Sequence, residues 1–454
     1  MVMFDDIETL DDPETLAQYG RDWTRFWDAL PTAVVFPRST EEVASIVRTA
    51  RHRGLRLVPS GGRTGLSGGA VACEGEVVVS LEKMREVLEL DRTEPSLRAQ
   101  AGVPVGELQR LAADAGFYYP VDWAAADSSQ LGGSIATNAG GIRVLRYGMT
   151  REWVRGLKVV TGVGEVLDLN RGLVKNNTGL DLRHLMIGSE GVLGIITEAT
   201  VALTRPPPEQ SVLLLGFFGL SSIMPVFTEL RAGLRLSAFE FFDRRSIGHV
   251  SAATGEVFPL EDECPYYAVV EFDDPGQENQ ERALRLFERL VEAGHVADGT
   301  LSQSGTQAQA LWRWRESISE SIGAHTPYKN DLSVRVSRVP EFLESLDRLV
   351  AERYPDYEVV WFGHIGDGNL HMNVLRPKDW SIDAFHAAGR KLSPHLFELV
   401  RRFEGSISAE HGVGLLKRDD LHYSRSAAEI EMMRKIKAAF DPDDILNPGK
   451  MLSS

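Results

Sequence analysis

Five glycines stand in nine positions from Gly61 to Gly69, within Pro59-Ser60-Gly61-Gly62-Arg63-Thr64-Gly65-Leu66-Ser67-Gly68-Gly69, and this run constrains the fold more than any other feature of the chain. Glycine leaves its amide unshielded and opens φ > 0, so successive N–H groups can converge on one anion. The flanking runs Leu55 to Val58 and Glu76 to Leu81 read as strands, which makes the loop a strand-to-strand connection. A Walker loop would continue into Gly-Lys-Ser/Thr and a Rossmann fingerprint would open a helix, and neither follows here. Taken alone, the loop is either a pyrophosphate cradle or a tight surface turn. Two further runs bear on the choice. One is Gln130 to Gly141, with Gly132, Gly133, Ser134, Thr137, Asn138, Gly140 and Gly141, followed by Tyr147-Gly148; the other is Gly188 to Thr197, with Glu190, Gly191, Gly194 and Ile196. Three such loops suit an extended dinucleotide lying across several turns.

The surrounding sequence sets the organisation. Ser39 reads as a helix cap with Glu42 completing a capping box; Val43, Ile46, Val47 and Ala50 share a helical face, and Gly54 is a C′ stop. Val154 to Thr161 and Glu165 to Leu169 read as paired strands. Arg205-Pro206-Pro207-Pro208 reads as a linker, since three prolines continue neither helix nor sheet. Beyond it, Ala283, Leu284, Phe287, Leu290 and Val291 mark an amphipathic helix stopping at Gly294, flanked by strand-like runs at Pro265 to Phe272 and Val359 to Phe362. A helical stretch from Ile430 to Phe440 halts at Asp441-Pro442. The expected fold class is α+β, divided into an N-terminal segment 1–30, a glycine-rich domain 31–207, a substrate or cap domain 208–410 and a helical C-terminal segment 411–454.

Composition excludes several function classes. A net charge of −16 opposes nucleic acid or an anionic bilayer as partner. Two cysteines, Cys73 and Cys264, are too few for a disulfide framework, a four-cysteine zinc site or an iron–sulfur cluster. The acidic stretch Met1 to Asp12 has no signal-peptide core, and Val212 to Leu220 falls far short of the ~20 residues of a membrane span. The expected location is cytoplasmic.

The three loops together resemble the flavin-binding domain of the vanillyl-alcohol oxidase/p-cresol methylhydroxylase superfamily over roughly Pro31 to Pro207. The resemblance implies FAD held across two α+β subdomains, the first loop on the pyrophosphate and the other two along the rest of the cofactor. Some members attach the flavin through a histidine in the first loop. Here Arg63 stands among the glycines and His52 is the only histidine before His184, so the FAD is expected to be non-covalent.

The second half carries a different chemistry, in His364-Ile365-Gly366-Asp367-Gly368-Asn369-Leu370-His371. Asp367-Gly368 is a favoured two-residue hairpin turn. That register sets His364 opposite His371 on one face, with Asn373 pointing the same way, and suits two ligands on one divalent ion. Ser408-Ala409-Glu410-His411-Gly412 offers a carboxylate, Glu410, as third ligand and an imidazole, His411, as general base. Each histidine taken singly reads first as a surface or packing residue; the hairpin pair and the Glu-His beside glycines, taken together, read as a functional site.

The segments His364 to Asn373, Ser406 to Lys417 and Asp441 to Lys450 resemble D-2-hydroxyglutarate dehydrogenases, with D-lactate and glycolate dehydrogenases as close relatives. The resemblance implies a metal at His364, His371 and Glu410, zinc ahead of manganese, a proton acceptor at His411, and Asn447 near the cofactor. It also implies substrate carboxylate binding by Arg315, Ser319, Lys329 and Asn373. Ser319 stands where the family commonly has threonine, and the spacing to Lys329 departs slightly from the pattern. The implied activity is oxidation of D-2-hydroxyglutarate, with D-malate as a second substrate. D-lactate or glycolate dehydrogenase is the alternative, and a non-catalytic flavin carrier the remote one. An electron-transfer flavoprotein or quinone acceptor and a homodimer complete the implied partners.

Overall fold

The computed structural model describes residues 4, 6–24, 26–261, 263–274 and 276–453; residues 1–3 and 5 of the acidic N-terminal stretch lie outside them. The chain divides into two compact units, one of residues 1–141, 148–206 and 410–454, the other of residues 142–147 and 207–409.

The first unit holds two sheets. The strands β1 (Thr9–Leu10), β2 (Ala33–Val35), β3 (Leu57–Ser60) and β4 (Val77–Ser80) form one in the order β1-β2-β4-β3, with β4 parallel to both β2 and β3. A second, antiparallel sheet has the order β5-β6-β9-β7-β8, from β5 (Val87–Asp91), β6 (Ser96–Gln100), β7 (Val154–Thr161), β8 (Val166–Leu169) and β9 (Gly194–Ala202). One core joins them: Val43, Ile46 and Val47 of the helix Thr40–Arg53 cluster with Val77 and Val79 of the first sheet and Val159 and Ile195 of the second. A smaller cluster of Val34, Phe36, Val58, Ala72 and Val78 covers the other face of β2, β3 and β4. Burial on both faces is why these strands read as unbroken valine runs rather than alternating ones. The helix itself begins at Ser39, whose Oγ accepts the Glu42 N–H, and ends at Gly54 with φ 64°. The reciprocal bond of the expected capping box instead falls one residue earlier, the Glu42 carboxylate accepting from the Arg38 N–H.

The C-terminal segment is part of this unit. The Leu57 N–H donates to the Ile445 carbonyl and the Asn447 N–H to the Leu57 carbonyl, laying the tail beside β3. The division falls between Ala409 and Glu410, so Glu410 belongs with the first unit.

The second unit is built on one antiparallel sheet of order β13-β10-β12-β11-β15-β16-β14. Its strands are β10 (Gln210–Phe217), β11 (Leu236–Asp243), β12 (Tyr266–Asp273), β13 (Asp298–Leu301), β14 (Tyr328–Ser333), β15 (Val359–Gly363) and β16 (Asn369–Val374). The helix Gly305–Glu316 lays Ala308, Leu311 and Trp312 into a cluster with Val212, Phe242, Val269 and Val360 of this sheet. In the helix Gln277–Glu292, Ala283, Leu286 and Leu290 are buried, whereas Leu284 and Val291 are 41% and 39% exposed. Leu286, not Leu284, completes the apolar stripe because i, i+3, i+7 spacing from Ala283 follows one face.

Six residues, 142–147, leave the glycine-rich half of the sequence and belong to the second unit. Arg143 pairs with Glu271 at 3.1 Å, Arg146 with Asp273, and Leu145 packs at Gly366. The expected domain 31–207 is therefore interrupted, and Tyr147, expected at the cofactor, sits in the second unit. No described helix is long and apolar enough to cross a membrane.

Candidate active site

In the first unit the loops approach each other through glycine. A Cβ at Gly62 would overlap the Ser128 carbonyl, and one at Gly141, where φ is 121°, would overlap the Asp122 carbonyl. Gly132 fits closely against Ala101, while nothing lies within 4 Å of a Cβ built at Gly133. Two buried polar atoms at these loops, Ser60 Oγ and Gln130 Oε1, have no hydrogen-bond partner among the described residues. Such orphans are rare and point to a ligand that would satisfy them. This donor–acceptor pair beside open glycine backbone fits a dinucleotide.

Several of the expected cofactor side chains are instead engaged in building the loops. The Arg63 guanidinium, at a residue with φ 57°, stacks 4.2 Å over the Tyr19 ring. Burial and the Glu82 carboxylate on its hydroxyl push that tyrosine up to about 12. Thr64 Oγ1 lies 2.8 Å from Ser129 Oγ. Ser134 Oγ donates to the Leu131 carbonyl, Thr137 Oγ1 to the Gly133 carbonyl, and Asn138 Oδ1 accepts the Arg151 N–H. Ile196 lies in the core of β9. The Glu190 carboxylate accepts the N–H groups of Val413 and Gly414 at 2.8 and 2.7 Å. Asn447 Nδ2 donates to the carbonyls of Gly69 and Glu190, while its Oδ1 accepts from Lys450. Pro59, Gly61, Gly65, Gly68, Gly140, Gly148, Gly191 and Gly194 are expected to act through main chain.

In the second unit, polar side chains gather on one face of an otherwise apolar sheet. The register of β15 and β16 differs from the expected hairpin: Phe362, not His364, stands opposite His371. The Asn369 N–H donates to the His364 carbonyl, so the loop spans the four residues Ile365 to Gly368. Gly368, with φ 89°, is pressed against the Val334 carbonyl, and this packing favours the longer loop over a two-residue turn. The shift amounts to two positions and so preserves the face. His364, His371 and Asn373 still point the same way, with the two imidazole centroids 5.3 Å apart.

Each imidazole has a buried carboxylate at Nδ1. His364 Nδ1 lies 2.9 Å from Glu240 Oε1 on β11, and His371 Nδ1 lies 3.8 Å from Asp331 Oδ1 on β14. Asp331 also accepts from Asn369 Nδ2 at 2.8 Å. The carboxylate at hydrogen-bond distance from His364 Nδ1 leaves ligation to Nε2, the pairing found behind metal-bound histidines, whereas Asp331 lies beyond hydrogen-bond reach of His371 Nδ1 and is itself a candidate ligand beside it; the donor set fits a divalent ion. Arg315, on the helix Gly305–Glu316, places Nη2 2.8 Å from Glu240 Oε2 and its Cζ 4.8 Å over the Phe362 ring. Its Nε is buried with no hydrogen-bond partner among the described residues. Part of the guanidinium expected to clamp a carboxylate is thus already paired. Lys329 stands opposite Asn373 in the β14–β16 ladder and donates to Ser319 Oγ at 3.3 Å. Much of its side chain is exposed, yet the protein around its ammonium disfavours the charged form and lowers its pKa. Asn373 is buried, its Nδ2 on the Val360 and His371 carbonyls at 3.4 and 3.3 Å.

The structure therefore brings His364, His371 and Asn373 together on one sheet face, with Arg315 reaching Glu240 beside them. Glu410 and His411 lie in the first unit, His411 Nε2 3.6 Å from Glu410 Oε1, ahead of the turn that Glu190 holds. Glu240 and Asp331 were not expected. The signal for Glu240 was present, an acid inside the apolar run Leu236-Ser237-Ala238-Phe239-Glu240-Phe241-Phe242.

Comparison with known proteins gives two family matches along the chain. The family described as FAD binding domain matches residues 31–170, and the family described as FAD linked oxidases, C-terminal domain, matches residues 206–451. The fold is shared with p-cresol methylhydroxylase, with a TM-score of 0.74 over 98% of this chain and 94% of that one at 16% identity. The family matches, with the relatives that follow, make the chain an FAD-dependent hydroxy-acid dehydrogenase. Two relatives named D-2-hydroxyglutarate dehydrogenase, from Stutzerimonas stutzeri and Xanthomonas citri pv. viticola, are each 52% identical over 98% of this chain and cover 96% and 94% of their own. The chain belongs to the D-2-hydroxyglutarate dehydrogenase family.

Proposed function

We propose that the protein oxidises D-2-hydroxyglutarate to its 2-oxo acid, with D-malate as a second substrate. The observation that carries this reading is the polar face of the second unit, where two carboxylate-backed histidines lie beside Arg315. Bound FAD would supply a hydride acceptor, and a divalent ion, zinc ahead of manganese, would supply a Lewis acid for the hydroxyl. His364, His371 and Glu410 would hold the ion. His411 takes the hydroxyl proton at its imidazole. Arg315 and Lys329, with Ser319 and Asn373, hold carboxylate oxygens and so fix which face of Cα is presented.

The diacid is favoured over D-lactate by the second cation. A monoacid needs one anchor, and Lys329, opposite Asn373, provides another. Steady-state kcat/KM for D-2-hydroxyglutarate, D-malate and D-lactate tests the order; it is expected to fall along that series, and a preference for D-lactate would reverse the assignment.

The flavin is held non-covalently, since no histidine stands in the first loop. Acid precipitation is expected to leave the yellow chromophore in the supernatant, and colour in the pellet would disprove it. An electron-transfer flavoprotein or the quinone pool is the proposed acceptor, and a homodimer the proposed assembly. A cytoplasmic setting fits the two free thiols, Cys73 and Cys264.

A further inference from the structure

We infer that Glu240 is a positioning residue for the metal centre, one buried carboxylate that orients the ligand His364 and anchors Arg315 at the same time. The inference rests on the metal reading above.

Glu240 lies on β11, where the pairs Phe241–Gly363 and Phe242–Phe362 set it across from His364. Its side chain is 1% exposed and that of Arg315 8%. An ionised carboxylate can only accept, so Nδ1 of His364, 2.9 Å from Oε1, carries the proton. Of the two neutral tautomers, that selects the one whose Nε2 is free to ligate, the form a metal requires.

The other oxygen faces Arg315. Nη2 approaches Oε2 to 2.8 Å without the alignment of a full hydrogen bond, and Cζ of the guanidinium lies 4.8 Å over the Phe362 ring. Withdrawing such a pair from water costs more than its attraction commonly returns, so stability is a poor account of it. Position is a better one. Arg315 keeps one buried donor, Nε, without a partner among the described residues, and Glu240 sets where that donor points. The support behind His371 is looser, with Asp331 at 3.8 Å and shared with Asn369. Glu240 is thus the tighter of the two orienting groups.

The test is zinc affinity, measured by competition with a chromogenic chelator on FAD-loaded protein, for the unaltered chain, H364A, E240Q, R315K and the double variant E240M/R315M. The unaltered chain is expected to bind zinc and H364A to fail. E240Q is expected to bind about 10- to 100-fold more weakly, with an unchanged flavin spectrum. R315K, which keeps the carboxylate, is expected to bind zinc as the unaltered chain does. The double variant replaces the ion pair by apolar side chains of similar volume, a change that buried pairs tolerate, and is expected to share the loss. It serves if E240Q does not fold. Zinc bound at full strength by E240Q or the double variant, with H364A defective, overturns the role of Glu240 and leaves the metal reading standing. An equal loss in R315K also overturns it, because packing of the pair would then set the affinity. Failure of the unaltered chain to bind zinc, or normal binding by H364A, overturns both.

Discussion

Replacement of His411 by alanine is expected to leave FAD and metal bound while slowing flavin reduction by D-2-hydroxyglutarate about 10²- to 10⁴-fold, the usual contribution of a positioned general base. The local structure makes the comparison a clean one. The backbone after His411 turns through Gly412 at φ 81° and Gly414 at φ 50°, positions that strongly favour glycine. The Glu190 carboxylate holds it there on the N–H groups of Val413 and Gly414. Alanine at position 411 therefore removes the base and leaves the turn in place. Anaerobic stopped-flow reduction at saturating substrate is the measurement. A rate equal to that of the unaltered protein would remove His411 from the mechanism.

The second large effect is expected at His371. In H371A the metal is lost and turnover falls to background, while the FAD content stays at that of the unaltered protein. The separation follows from where the parts lie: His371 is in the central part of β16 in the second unit, and the glycine loops of the first unit carry the cofactor orphans Ser60 Oγ and Gln130 Oε1. Loss of the imidazole leaves Asp331 with Asn369 as a hydrogen-bonding neighbour in a buried strand, so a lower melting temperature accompanies the lost metal. Metal analysis and flavin absorbance on one sample check both halves. Full metal occupancy in H371A, or loss of FAD along with the metal, contradicts the assignment.

What the sequence displayed openly were features whose cause is local. The glycine runs, the cap at Ser39, the stop at Gly54 and the break at the prolines each act through their own backbone, and each is found where the chain shows it. The hairpin was legible in its face but not in its register. Period-two alternation is insensitive to a shift of two, and Gly368 packs against Val334, a residue just past the end of β14 and far from it in sequence. The carboxylates behind the histidines were hidden for a related reason. Glu240 is 124 positions from His364, and no spacing rule connects them. The segment 142–147 was hidden too, since its place depends on Glu271 and Asp273 more than a hundred residues on. Glu190 and Asn447 were singled out as cofactor residues, and their side chains are found building the loops. Their bonds run to main chain of the same unit, a distinction that no motif encodes.

We propose metal-assisted hydride transfer from a D-2-hydroxy acid to the bound flavin. Its most direct test is anaerobic bleaching of the flavin by D-2-hydroxyglutarate, recorded before chelation, after chelation and after zinc is restored. The predicted result is bleaching in the metal-loaded protein, none after chelation with FAD retained, and recovery on addition of zinc. Bleaching that proceeds equally without metal, or that never occurs with this substrate, would contradict it.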